Sequence, residues 1–158
     1  MSGEHLWPTW MHPLLGPKSE SQNKYSYDSV PHYAAKVIVN NLTYFRDKQG
    51  DPRSKKIYVV CEKCNNGWME AIEKAARPAL SRLLLGDFSV LSVNEQNVIN
   101  AWVAIKTIVG EFDDVARKAI PFADRESVYK NKMPPANWVF GLGNMKVSTG
   151  KYLIYTKE

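Results

Sequence analysis

The sequence predicts an α+β chain. Two long stretches repeat apolar residues at three- and four-residue spacing, as amphipathic helices do. Several short runs rich in β-branched and aromatic residues, bounded by Gly, Pro and Asn, read as strands. Hydrophobic content of 44% and charged content of 23% are those of an ordinary folded domain. With 158 residues, the chain can bury a core without staples.

The elements follow in order. Residues 1–12 carry Trp7, Trp10 and Met11 and have an apolar character. Residues 13–31, with Pro13, Gly16, Pro17 and a Ser/Asn/Tyr-rich stretch, read as loop. Residues 33–45 contain Val37, Ile38 and Val39 and read as a strand. Gln49-Gly50-Asp51-Pro52 signals a turn, and Lys56 to Val60 a short strand. A helix is predicted from about Asn66, with Met69, Ile72, Ala76, Leu80 and Leu83 on one face. Asn65 or Asn66 is its expected cap and Gly86 its expected end. Pro78 should kink or divide it, because proline lacks the N–H the helix needs. Ser92-Val93-Asn94-Glu95 has the form of a capping box. The helix it opens presents Val98, Trp102, Ile105, Ile108 or Val109, and Phe112 on one face. Residues 137–142 and 151–155 are expected to pair as an antiparallel hairpin, with Gly141, Gly143, Asn144 and Gly150 as turn residues.

No apolar run approaches the length of a membrane span, and no basic-then-apolar signal segment opens the sequence. The expectation is a cytoplasmic protein without a membrane partner. A net charge of +5 and a pI near 9.1 lean toward an acidic partner such as nucleic acid. The local concentration of cations is Arg46, Lys48, Arg53, Lys55 and Lys56. It is the candidate DNA-contacting loop, or else a solvated one.

Two short motifs carry the chemistry. The first is Glu4-His5-Leu6-Trp7-Pro8, continuing to Trp10; the second is Cys61-Glu62-Lys63-Cys64-Asn65-Asn66-Gly67-Trp68-Met69. These are the chain's two cysteines, so no disulfide framework exists, and their spacing points to metal or redox chemistry. Asn-Asn-Gly after the second cysteine does not suit a thioredoxin-like site. A tetrahedral zinc site needs four ligands, and the knuckle supplies Cys61 and Cys64.

In their order and joint occurrence, the two motifs resemble the HNH (His-Me finger) endonucleases of the E-H-x-x-P-x-W and C-x-x-C-N-N-G-W-M type. The likeness extends more loosely through Pro78, Leu80, Gly86, Trp102 and Lys106 to Pro134-Pro135 and Trp138. The resemblance implies an HNH-like ββα metal-finger core over residues 1–86. A helical and β-hairpin extension over 87–158 would form one compact unit with it. It implies hydrolysis of DNA phosphodiester bonds with magnesium or manganese. By the same resemblance His5 is the general base, Glu4 a metal ligand, and Asn65 a ligand or the group that orients one. Glu73 falls where the family often has an acid. The middle letter of the family's name has no assigned residue here.

Relatives with this knuckle also carry a cysteine pair upstream of the Glu-His motif, and the two pairs hold a structural zinc. Here Met1, Ser2 and Gly3 precede Glu4. Either the sequence is a shortened version of a longer protein, or packing replaces the zinc, or His12, His32 or a second subunit completes the site. The alternative function is a catalytically weak or inactive HNH-like scaffold that binds nucleic acid or a protein partner, such as a phage-encoded inhibitor of a host defence nuclease. The five tryptophans and eight tyrosines would then supply contact anchors. A zinc-knuckle protein without nuclease ancestry leaves the first motif unexplained.

Overall fold

The first strand and the strand before the knuckle, far apart in sequence, pair with one another. The computed structural model describes residues 1–15, 24–25, 48–49, 52–113 and 119–143. Strand β1 (Ser2–His5) runs antiparallel to β4 (Lys56–Val60), with Glu4 opposite Ile57 and His5 opposite Lys56. The register shifts between Ser2 and Glu4. Gly3 sits at that irregularity, and a Cβ there would lie 2.8 Å from the Tyr58 ring. The bare backbone leaves room for the exposed Tyr58 ring to lie across β1 at that point. A second pair, β2 (Lys24–Tyr25) with β3 (Lys48–Gln49), lies between them in sequence. The strand expected over 33–45 and half of the expected hairpin, 151–155, fall outside the described residues.

Just after β1, Pro8 opens a 3₁₀ turn at Thr9–Met11. Met11 is buried, and Trp10 packs beside it with the Arg77 guanidinium 5.2 Å from its ring centre. The Pro-x-Trp half of the first motif therefore anchors β1 to the core.

Straight after β4 the chain turns helical. Helix α1 (Glu62–Cys64) passes through a π-helical turn (Asn65–Met69) into α2 (Glu70–Leu84). The helix starts earlier than the asparagine-capped start near Asn66, because the Cys61 sulfur serves as cap, accepting the Cys64 N–H at 3.0 Å. Gly67 departs from helical geometry at φ −109°, ψ −110°. Pro78 does not divide α2, which runs unbroken past it. Both Pro78 and Lys74, whose carbonyl would have received the missing N–H, are on the exposed side, where water can satisfy that oxygen. The C-terminus is closed by Gly86 at φ +85°. Asp87 N–H donates to the Arg82 carbonyl and Gly86 N–H to that of Leu83, the Schellman arrangement that glycine makes accessible.

Helix α3 (Val93–Gly110) opens with the expected capping box. Glu95 N–H donates to the Ser92 hydroxyl and Ser92 N–H to the Glu95 carboxylate. Two apolar clusters meet along α3. One joins Met11, Ala76, Ala79 and Leu80 to Ile99 and Trp102; the other joins Ile57 and Met69 to Ala104, Ile105, Val109 and Val128. Each cluster draws on both 1–86 and 87–143, so the two stretches share their interior. Burial on two sides explains why α3 is apolar over most of its circumference.

Helix α4 (Phe122–Asn131) had no expectation attached to it; it begins after Pro121 and ends at Lys132 in the left-handed region, φ 59°. Residues 137–142 form no strand in the structure. Trp138 and Phe140 instead pack on the second cluster, and the Trp138 indole donates to Asp124 of α4. Those aromatics are spent on the core rather than on a ladder. Helices and short antiparallel strand pairs together make the fold α+β. Among the described residues no helix is long and apolar enough to cross a membrane.

Candidate functional site

Successive residues of a strand point to opposite faces. On β1 this separates the two residues of the first motif. Glu4 faces inward with Ile57 and is 8% exposed, the one charged residue among the buried side chains described. His5 lies on the other face, half-buried and directly across from the exposed Lys56. Burial and the Lys56 ammonium hold the His5 imidazole below its ordinary pKa of 6.5; Glu4 pulls the other way, while Lys106 and His12 add to the lowering.

Glu4 finds its counter-charge far along the chain. Lys106 of α3 reaches the Glu4 carboxylate with its ammonium, and both side chains are about nine-tenths buried. The same ammonium lies 2.9 Å from a Glu73 carboxylate oxygen on α2 and donates to the His5 backbone carbonyl at 2.9 Å. It also sits 5.8 Å from the centre of the Trp102 ring. Three oxygens from β1 and α2 thus gather around one positive charge.

Asn65 does not join this group. Its amide donates to the Ser2 hydroxyl at 2.9 Å, at the other end of β1. Ser2 pairs with Val60 at the end of β4, and Asn65 follows about one helical turn later, so its side chain meets the start of β1 rather than the Lys106 group.

No family model, curated protein or solved structure matches this chain. The site must be argued from its own geometry.

Cys61 is exposed and Cys64 partly so. The neighbouring Cys64 thiol and backbone N–H pull the Cys61 thiol below its ordinary range, and the same thiol contact pushes that of Cys64 up. Zinc would find two of its four ligands here. Among the described residues, no three His, Cys, Asp or Glu side chains gather at a point. His12 is turned to the Trp7 and Arg53 carbonyls, with its Nε2 3.3 and 2.8 Å from them. His32 is outside the described residues. The described donors therefore do not fit a closed zinc site.

Carboxylate and carbonyl oxygens are what magnesium and manganese take, and such oxygens already converge on the Lys106 ammonium.

The described members of the basic cluster differ in their surroundings. Lys55 is ion-paired with Asp113. Arg53 gives its carbonyl to His12, and Lys56 is exposed beside His5. Lys48 lies in β3, and Arg46 falls outside the described residues.

Lys106 is the residue the motifs alone did not single out as part of the site. A signal for it exists in the sequence: it is the one charged residue in the stretch from Ala101 to Gly110. A lysine on a helix face otherwise given to the core needs a buried partner.

Proposed function

We propose that this chain is an HNH-like endonuclease domain that hydrolyses DNA phosphodiester bonds, with His5 as the general base. The observation that carries this reading is the β1–β4–helix order. It brings Glu4, on the inward face of one strand, to Glu73 on the helix that follows the other, with the His5 ring on that strand's opposite face. His5 is suited to its part, because a base must hold a free lone pair near neutral pH, and burial with Lys56 opposite favours the neutral imidazole. In the proposed reaction His5 takes a proton from water, the oxygen attacks phosphorus, and the 3′ oxygen leaves. Glu4 and Glu73 are the residues that would hold a magnesium or manganese ion, whose chemistry there is to neutralise charge on the leaving oxygen. The exposed Lys56 ammonium offers a contact for a phosphate beside His5.

One observation favours the second reading, a catalytically silent scaffold that binds DNA or a protein. Lys106 already neutralises Glu4.

Purified protein incubated with supercoiled plasmid decides between them. Nicking that requires magnesium or manganese, stops with EDTA and disappears in His5→Ala supports the nuclease. A folded wild-type protein that leaves the plasmid intact under all these conditions overturns it in favour of the scaffold.

A further inference from the structure

Two cysteines lie outside everything the proposed hydrolysis uses. Cys61 is the first residue after β4, and Cys64 ends the short helix that follows. Cys61 is exposed, its sulfur accepts the Cys64 N–H at 3.0 Å, and the Cys64 thiol contacts the same sulfur. The Cys64 β-carbon is two bonds from that nitrogen, so rotation of its side chain carries one sulfur to the other. A covalent bond between the thiols can therefore close within a single turn of chain.

Three fates are open to such a pair. Structural cysteines are buried and inert, whereas Cys61 is exposed and Cys64 is partly so. A structural zinc needs four ligands, and among the described residues no third His, Cys, Asp or Glu side chain joins these two. The third fate is thiol–disulfide exchange, and the two cysteines are unequal in the way that chemistry requires. Cys61 is open to a partner, and the N–H held on its sulfur favours the thiolate, the form that attacks. Cys64 is the more sheltered of the two. It lies beside Trp68, whose indole N–H is buried without a hydrogen-bond partner. From inside the turn it is placed to attack second. Because β4 pairs antiparallel with β1, the setting is not thioredoxin-like, and the two thiols are all it shares with such sites.

We propose that Cys61 and Cys64 are a redox-active dithiol that exchanges with disulfides, Cys61 attacking and Cys64 resolving. The Cys61 thiolate attacks one sulfur of a disulfide R–S–S–R. A mixed disulfide forms between Cys61 and one R–S group, while the other leaves as R–S⁻ and takes up a proton. Cys64 then loses its proton and attacks the Cys61 sulfur. The Cys61–Cys64 bond forms, and the second R–S⁻ leaves and is protonated. The chain has given up two electrons and two protons, and the disulfide has become two thiols. The reverse reaction with a thiol restores the pair. This activity is separate from the nuclease reading, in which neither thiol takes a step.

Oxidised glutathione is the probe, added to the full chain and followed by intact mass after alkylation of free thiols. Wild type should end as an intramolecular disulfide, with no glutathione retained and neither cysteine alkylated, and dithiothreitol should return both thiols. Cys64→Ser should stop with one glutathione on Cys61. Cys61→Ser should react at least about tenfold more slowly than Cys64→Ser, since the sulfur it keeps is the sheltered one. Cys64→Ala replaces Cys64→Ser if that variant does not fold. Wild type that keeps both thiols free, or that accumulates the mixed disulfide, overturns the proposal, as do equal rates in the two single variants. Thiols that react only after EDTA is added overturn it in favour of a metal knuckle.

Discussion

The Glu4–Lys106 cluster and the Cys61–Cys64 knuckle flank the same strand pair but are held in opposite ways. The knuckle is local. Its cysteines are three residues apart, exposed or nearly so, and joined through one backbone N–H. The cluster is assembled from β1, α2 and α3, and its central pair is separated by 102 positions. Its two main side chains are about nine-tenths buried. The knuckle depends on a short motif folding on itself, while the cluster exists only when three elements are packed together. Losing a partner should therefore matter far more in the cluster.

The sharpest way to break this contrast is Lys106→Ala. It leaves the Glu4 carboxylate buried without its counter-charge and should destabilise the fold by about 3–5 kcal/mol, measured by urea unfolding. The double variant Glu4→Gln/Lys106→Met removes both charges, and most of that loss should return. A single variant as stable as wild type would mean the ion pair is incidental to the fold.

The same contrast explains what the sequence made legible. The Ser92–Glu95 capping box and the Gly86 terminator were readable because their hydrogen bonds close within a few residues. The helix start was placed late because asparagine is the usual cap, whereas the Cys61 sulfur took the role. Pro78 reads as a breaker, yet Lys74, whose carbonyl it leaves without an N–H, is on the exposed side. Residues 137–142 have strand-like composition, but Trp138 and Phe140 are drawn to the core. Within the site, Glu4 and His5 were visible as a motif, while their divergence onto opposite faces required β1 to pair in register with β4. Lys106 was legible only as an oddity, since nothing local names its partners.

His5 offers a smaller effect that sharpens the comparison at the edge of the cluster. Its pKa is lowered in the folded chain, so folding favours the neutral ring. The stability this contributes is present above the unfolded value of 6.5 and is lost as pH falls through the folded value. An NMR titration of the His5 ring should have its midpoint below 6.5, and Lys56→Ala should raise that midpoint by removing the ammonium across the strand pair. A midpoint above 6.5 would mean that the Glu4 charge dominates at His5, despite its engagement with Lys106.

The smallest effect belongs to the knuckle. Cys61 contributes one sulfur at a helix start, and serine is a better helix cap than cysteine, so the hydroxyl of Cys61→Ser can accept the same Cys64 N–H. The thiol is exposed, so little packing is lost. Without a metal at the knuckle, the variant should melt within about 0.5 kcal/mol of wild type. Added zinc or EDTA should then leave both melting curves where they are. A structural zinc would behave otherwise, because metal-ligand energy in a small domain is folding energy. A large loss of stability in Cys61→Ser, matched by EDTA on wild type, would show that the missing ligands are supplied after all. The knuckle would then join the Glu4 cluster as a tertiary site rather than a local one.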